Sequence, residues 1–352
     1  MTALDTAPPA APQGGTSRRS SLRTRLGTSE KVNGPLFVAP AIIGITIFTL
    51  IPIIMALAVS FRDWNGVSPP FQADYIGFAN YRELLFEPGV PRGDFGISLR
   101  NNFYYVLGVV PAQTSIAFII AVIVNQRFLK GKGFFRSAYY FPSITSSIAV
   151  ALIFAFLFSN NGAVNSLLGT DITWLEDATG VFHAILGWVG VDEAPAFLER
   201  REFLELSWWE WLAGPSVTMF AIMILATWTT IGTQMLIFLA GLQNIPVEVE
   251  EASAVDGASP IQRFFLITLP MMKPTLFFVL TVGIIGTWQV FDQIFAISAG
   301  GPQKTTFTPA YLVYREGFRN FAMGRATAVS FLLFIIIGVF TIIQRRLISD
   351  EV

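Results

Sequence analysis

Apolar residues in this chain run in blocks long enough to cross a bilayer, and the polar residues are confined to the stretches between them. Six such blocks are visible, at about 35–61, 103–124, 137–158, 216–242, 274–297 and 326–343. A hydrocarbon core takes roughly 20 apolar residues per helical span. Only helices or closed barrels satisfy their own backbone polar groups there. The blocks do not alternate apolar with polar as barrel strands do, so the pattern predicts an all-α polytopic membrane protein with six transmembrane helices. A seventh apolar stretch at about 180–191 is too short to span.

Composition agrees. Of the 352 residues 53% are hydrophobic and 13% charged, where soluble domains carry about 25% charged residues. A net charge of -1 gives no field for nucleic acid. The absence of cysteine removes disulfides, thiolate catalysis and thiolate metal sites, and a single histidine, His183, argues against a histidine-based metal centre. No metal, resident cofactor or catalytic residue is expected.

Basic residues orient the spans. Arg18, Arg19, Arg23, Arg25 and Lys31 precede the first block, Arg127, Lys130, Lys132 and Arg136 lie between the second and third, and Arg345 and Arg346 close the last. With six spans all three groups share one side, the cytoplasm, and both termini lie there. Residues 1–30 are rich in Ala, Pro, Thr, Ser and Gly, lack the apolar centre of a secretory signal, and are expected to be a disordered cytoplasmic tail. Residues 31–352 form the membrane domain.

The opposite side receives 62–102, 160–215 and 298–325. The insertion 160–215 is acidic, with Asp171, Glu176, Asp177, Asp192, Glu193, Glu199, Glu202, Glu205 and Glu210 against Arg200 and Arg201, and it holds five tryptophans. Such aromatics suit the membrane–water interface, so one or two interfacial helices are expected there.

Between the fourth and fifth spans, on the cytoplasmic side, lies a polar segment at 243–273. Pro246 can open a helix, since its missing N–H is an orphan in the first turn, and Glu248, Glu250 and Glu251 complement the helix dipole. Asp256-Gly257 breaks that helix. Ser259 caps a second, with Pro260 at its first position. The small residues Ala252, Ser253, Ala254, Gly257 and Ala258 at the bend allow another protein to approach closely. A solvated amphipathic connector is the plainer alternative.

The spacing Glu251-Ala252-Ser253, three residues, Gly257, nine residues, Ile267-Thr268-Leu269-Pro270 resembles the EAA loop of importer permeases of the ATP-binding cassette (ABC) class. Further stretches resemble the MalF-like carbohydrate permeases: LFVAPAIIG, IGFANYREL at 76–84, GKGFFRSAYYFPS at 131–143, GLQNIP at 241–246, EEASAVDGASPIQRFFLITLP at 250–270 and FDQIFAISAGGP at 291–302. Serine stands where that family has the second alanine of EAA, and the outer segment at about 176–207 is longer than the family needs.

The resemblance implies a permease subunit of an ATP-driven sugar importer. It implies a second homologous permease, two ATPase subunits and an extracytoplasmic sugar-binding protein as partners. The ATPase-coupling residues would be Glu250, Glu251, Ala252, Ser253, Asp256 and Gly257. ATP and Mg would bind on the partner ATPases, because a phosphate-binding G-x-x-x-x-G-K-[ST] loop is missing: Gly131-Lys132-Gly133 and Gly300 to Thr305 fail on order and spacing.

The same resemblance places a sugar site at mid-membrane on three spans. Matching FPSITSSIA carries it to Ser143 and Ser147. The tryptophan-led stretch before GLQNIP carries it to Thr229, Thr230 and Thr233, and counting back from Gly300-Gly301-Pro302 carries it to Gly286, Thr287 and Val290. Gln289 and Gln293 are expected to supply the polar groups that glycine and valine lack, and Trp228 and Trp288 an aromatic face each. Helix packing is the structural alternative for each serine and threonine.

Asp292 is the one charged residue inside a predicted span, roughly 27 Å from its cytoplasmic start, and is expected at the outer mouth, functional by default or simply solvated. No Lys or Arg lies deep in a span, which favours a neutral mono- or oligosaccharide over a phosphorylated one. An ion-coupled secondary sugar transporter is the alternative, with a membrane glycosyltransferase behind it; the first wants mid-membrane carboxylates, the second a carboxylate pair or metal cluster.

Overall fold

The computed structural model describes residues 34–126, 128–191 and 193–349. The expected tail at 1–30, with its four arginines, and Lys31, Arg127 and Asp192 lie outside the described residues. Five helices there are long and apolar enough to cross a bilayer, or six if one sharply bent pair is a single span.

Contacts divide the chain after Ala56 into two compact units. The helix α1 (Gly34–Ser60) begins in the first, carries a π-turn at Thr46–Leu50, and is apolar all round, with Phe37 and Phe48 exposed. A helix of that kind is a membrane span or a core helix of a large protein.

The second unit holds the other elements. α2 (Ala79–Leu85) leads into α3 (Val90–Asn125), which starts thirteen residues before the block read from hydropathy. The extra turns carry Arg92, Asp94 and Arg100, whose charge hides them from a hydropathy window. They are helical because they pack at the end of the bundle, with Asp94 and Phe95 buried.

The third block is not one helix. α4 (Lys132–Ile144) and α5 (Ser147–Leu157) meet at 95°. Pro142 sits inside α4, where it removes a backbone donor and crowds the preceding turn. Thr145 is extended and Ser146 is non-helical. Hydropathy averages over such a break and cannot see it. The Thr145 hydroxyl donates to the Phe141 carbonyl at 2.9 Å.

In the insertion, the expected one or two helices are four short pieces and a hairpin. Among them α6 (Val181–Trp188) is too short to span, and the strands Glu202–Phe203 and Leu206–Ser207 pair antiparallel. Gly169 and Gly190, both at positive φ, follow the ends of the first two pieces, and Gly162, Gly180 and Pro195 stand just before the starts of the first three.

α7 (Val217–Gln243) opens at Ser216, whose hydroxyl accepts from the Met219 N–H at 3.0 Å. It packs along α3, Tyr105 and Val109 meeting Met219 and Ile222 at one end and Ala117 and Phe118 meeting Met235 and Phe238 at the other. Another neighbour is α4. A Cβ on Gly232 would stand 2.1 Å from the Tyr139 carbonyl oxygen, so glycine sets the closeness of that crossing, as small residues do in membrane bundles.

After α7 come α8 (Val247–Val255) and α9 (Pro260–Arg263), separated by Gly257 at φ +79°. Ser259 and Gln262 form a reciprocal capping box on α9. From α9 the chain continues helically through a π-turn at Phe264–Thr268 and Leu269–Met271 to α10 (Lys273–Trp288).

The fifth block is also broken. α10 stops at Trp288, and α11 (Asp292–Ile297) resumes after an irregular stretch at 289–291. Side chains from other elements satisfy the carbonyls freed there: Asn102 donates to Trp288 O at 3.3 Å and Thr308 to Val290 O at 3.1 Å. Irregular backbone at membrane depth survives only with such partners. α12 (Pro309–Tyr314) and α13 (Met323–Ser349) complete the chain.

Two ends of this unit are distinct. At one, Glu205 meets Gly89, Arg100 meets Glu210, and Lys304 and Arg315 both pair with Asp94, which brings 62–102, 160–215 and 298–325 together. At the other, Asn125, Gln126 and Gln243 gather around α8 and α9.

Candidate functional site

Both broken helices meet at their breaks. The Ser147 hydroxyl, first residue of α5, donates to Asp292 Oδ2, first residue of α11, at 2.5 Å. Beyond the breaks, Val150 and Ala151 pack with Ala296, Ile297 and Leu225. Asp292 therefore stands exposed at a discontinuity, not inside a continuous span as the sequence suggests.

Two adjoining cavities flank these breaks. The larger, 390 Å³, lies between α3, α7 and α10 and takes in Thr230, Thr233, Gly286, Thr287 and Val290 from the sequence reading. The smaller, 280 Å³, takes in Ser143, Ser147, Thr229, Thr230 and Thr233. Thr230, Thr233 and Gln293 line both. The eight residues drawn from three separate stretches thus line two cavities that share three wall residues.

Their hydroxyl protons are mostly committed. Ser143 donates to the Thr229 carbonyl at 2.6 Å and accepts from the Thr233 N–H at 3.3 Å, joining α4 to α7. Thr229 donates to Leu225 and Ala226, Thr230 to Ala226, and Thr287 to Gly283 and Ile284, all within their own helices. A hydroxyl oxygen keeps lone-pair capacity after donating, so these side chains offer acceptors to a ligand's own O–H groups. Thr233 is exposed and Thr287 buried.

The aromatic expectation needs correction. Trp288 is buried and turned toward α13, its ring 5.2 Å from Phe340; neither cavity includes it. Tryptophan is driven by area, and the apolar face of α13 offers Leu333 and Ile337. Trp228 is half-exposed and packs on Phe154 at 5.3 Å, also outside both cavities. Tyr105, Phe291 and Gln113 with Gln234 line the larger cavity and were not read from the sequence. A lone amide in an apolar run, as in VVPAQTSIAF, is the signal that marks them, because membrane polar residues turn inward.

At the far end Glu250, Glu251, Ala252, Asp256 and Gly257 are exposed on α8 and its turn. Ser253 is the exception: it is buried and donates to the Glu250 carbonyl at 2.7 Å, so its hydroxyl belongs to the helix. Val255 and Ile261 are exposed large apolar residues beside these carboxylates. Glu250, Glu251 and Arg263 line a 630 Å³ cleft with Asn125 and Gln243.

In the insertion His183 stacks on the Trp209 ring at 4.2 Å, and its Nε2 lies 3.1 Å from the Trp209 carbonyl. Burial holds the imidazole pKa below its ordinary value, with the Arg100 charge adding to that; the Trp209 carbonyl opposes.

Residues 113–350 match the family described as binding-protein-dependent transport system inner membrane component. The chain is 33% identical over 326 residues to a probable ABC transporter permease, YesP, of Bacillus subtilis, covering 91% of this chain and 92% of that protein. It is 30% identical to the arabinooligosaccharides transport system permease AraP of Halalkalibacterium halodurans (93% and 91% covered) and 30% identical to the lactose transport system permease LacF of Rhizobium radiobacter (94% and 97%). A crystal structure of a bacterial ABC transporter involved in the import of the acidic polysaccharide alginate superposes with a TM-score of 0.65 at 21% identity, covering 93% of this chain and 99% of that one. The chain belongs to the binding-protein-dependent ABC permeases. It is a multi-pass component of the membrane.

Proposed function

We propose that this chain forms half of the translocation pathway of an ATP-driven importer and passes a neutral mono- or oligosaccharide, taking its energy from separate ATPase subunits docked on α8 and α9. The observation that carries the substrate class is the set of polar groups in the otherwise apolar walls of the two adjoining cavities: hydroxyls, amides and one carboxylate, with neither Lys nor Arg among them. A buried anion wants a compensating cation, and the Asp292 carboxylate would repel an anionic sugar. Relatives named for arabinooligosaccharides and lactose support the same class. The alginate importer shares the fold at 21% identity, which carries no substrate with it.

The residues held for the sugar are Ser143, Ser147, Thr229, Thr230, Thr233, Gly286, Thr287 and Val290. Glu250, Glu251, Ala252, Asp256 and Gly257 would carry the force of the ATPase, with Ser253 fixing their helix. In the cycle we infer, ATP closes the ATPases, the coupling segments of this chain and its homologous partner move with them, and the pathway turns outward to a binding protein on the insertion side. Mg and ATP stay on the ATPases.

The test pairs capture with uptake. Tagged protein is drawn from its native membrane in mild detergent beside a Glu251→Lys, Gly257→Pro double variant, which reverses a charge and forbids the positive φ at Gly257. A second permease and an ATPase should accompany wild type, and the ATPase should be lost from the variant. Vesicles should take up a neutral oligosaccharide with ATP inside and leave an alginate oligosaccharide behind. Capture of the chain alone, with uptake independent of ATP, would give the assignment to an ion-coupled transporter.

A further inference from the structure

Three helices bring two amides to one point. Gln113 of α3 and Gln234 of α7 line the larger cavity and are 1% and 5% exposed. Across from them α10 presents Gly283: a Cβ there would stand 3.0 Å from Gln113 Nε2 and 3.4 Å from Gln234 Nε2. The missing side chain leaves both amide heads in one small space beside the α10 backbone.

Each amide keeps one buried polar atom without a hydrogen-bond partner: the nitrogen of Gln113 and the oxygen of Gln234. A buried polar group left unpaired is destabilising, and native interiors seldom carry one without a reason. Here the two orphans are complementary, one a donor and the other an acceptor. A hydroxyl is both at once, accepting through its oxygen and donating its proton. Glutamine's last torsion is soft, so turning either head toward the cavity costs little.

We propose that Gln113 and Gln234 are a hydroxyl-reading pair that selects one particular O–H of the passing sugar, a specificity element apart from the serines and threonines of the three motif-bearing spans. The pair explains why amides, not aliphatic residues, occupy two buried positions among Val109, Ala226, Ile237 and Val279. A site built to hydrogen-bond a hydroxyl rejects the analogue lacking it far more strongly than an apolar pocket can. The inference rests on the sugar-importer reading.

The experiment uses the whole importer with its own binding protein and ATPase. Uptake of a panel of labelled neutral mono- and oligosaccharides, arabinotriose and lactose among them, is measured first; ATP-driven uptake of none would remove the importer reading, and this pair with it. With the sugar that wild type accepts, its monodeoxy analogues are then compared in wild type and in the Gln113→Met, Gln234→Met double variant. Methionine matches glutamine in length without polar demand, and neither unpaired atom loses a folded-state bond. The variant should therefore reach the membrane in normal amount with an unchanged or higher Tm.

Its uptake of the parent sugar should fall at least tenfold. One monodeoxy analogue, at least tenfold poorer than the parent in wild type, should lose at least tenfold of that disadvantage in the variant. The binding protein is common to both arms, so its own preferences cancel. Wild-type uptake that is intact and unchanged in the variant would overturn the pair while leaving the importer standing. A fall in Tm with all analogues lost alike would overturn it too, by making the amides structural.

Discussion

Single side chains at the breaks carry two duties. Asp292 accepts the Ser147 hydroxyl and also faces the larger cavity, so Asp292→Asn keeps the shape and removes the charge. A hydrogen bond to a charged group is worth about 1.5–3 kcal/mol against roughly 1 for a neutral one; the difference is about tenfold in rate. Uptake of the neutral sugar is expected to drop by that factor in vesicles, and an unchanged rate would take Asp292 out of the pathway. His183 gives a second test, on the insertion. Its folded pKa is depressed, chiefly by burial, so the imidazole is preferred neutral. The stability it lends is complete above about pH 6.5, the ordinary histidine value, and is lost as pH falls below it toward the folded pKa. Tryptophan fluorescence of wild type should change below pH 6.5, and the His183→Gln protein should stay flat through that range.

At the scale of elements, the sequence was informative where a pattern is periodic or capped. Five long helices, the Ser259 cap, the turn at Gly257 and the short α6 were all legible, since hydropathy, capping chemistry and positive φ each leave a local mark. The breaks in the third and fifth blocks were not. Pro142 was visible, but a proline in a membrane helix is often tolerated, and the break at 289–291 has no proline at all. It exists because Asn102 and Thr308, some 190 residues away and 18 residues away in sequence, offer it donors. The direction of Trp288 was hidden for the same reason: its partner Phe340 is on another helix. Gly232 illustrates the other side, a single residue that fixes a crossing. Gly232→Val should force α4 off α7 and break the Ser143 link, and the Tm in detergent should fall together with uptake. A Tm at the wild-type level would mean that the crossing tolerates a side chain.

Over the whole molecule, one end is tied by buried charge. Asp94 is 2% exposed and is held by Lys304 at 2.6 Å and by Arg315, while Arg325 joins Glu316 and Glu83. Arg315 also lies over the Phe307 ring at 4.4 Å. Removing one partner of a buried pair costs about 3–5 kcal/mol, and the lower figure suits this site because Lys304 is half-exposed. Asp94→Asn should lower the Tm in detergent by several degrees; a shift of less than a degree would mean that water already screens the cluster.

The double use of hydroxyls around the cavities constrains how such a protein can acquire a new diet. Ser143 joins two helices while it faces the smaller cavity, so a change made there to suit another sugar also loosens a joint. Thr233 and Gly286, exposed on the cavity wall, carry no comparable burden. Retargeting by selection should accumulate first at those two positions, and changes at Ser143 should arrive only after a compensating substitution on α7.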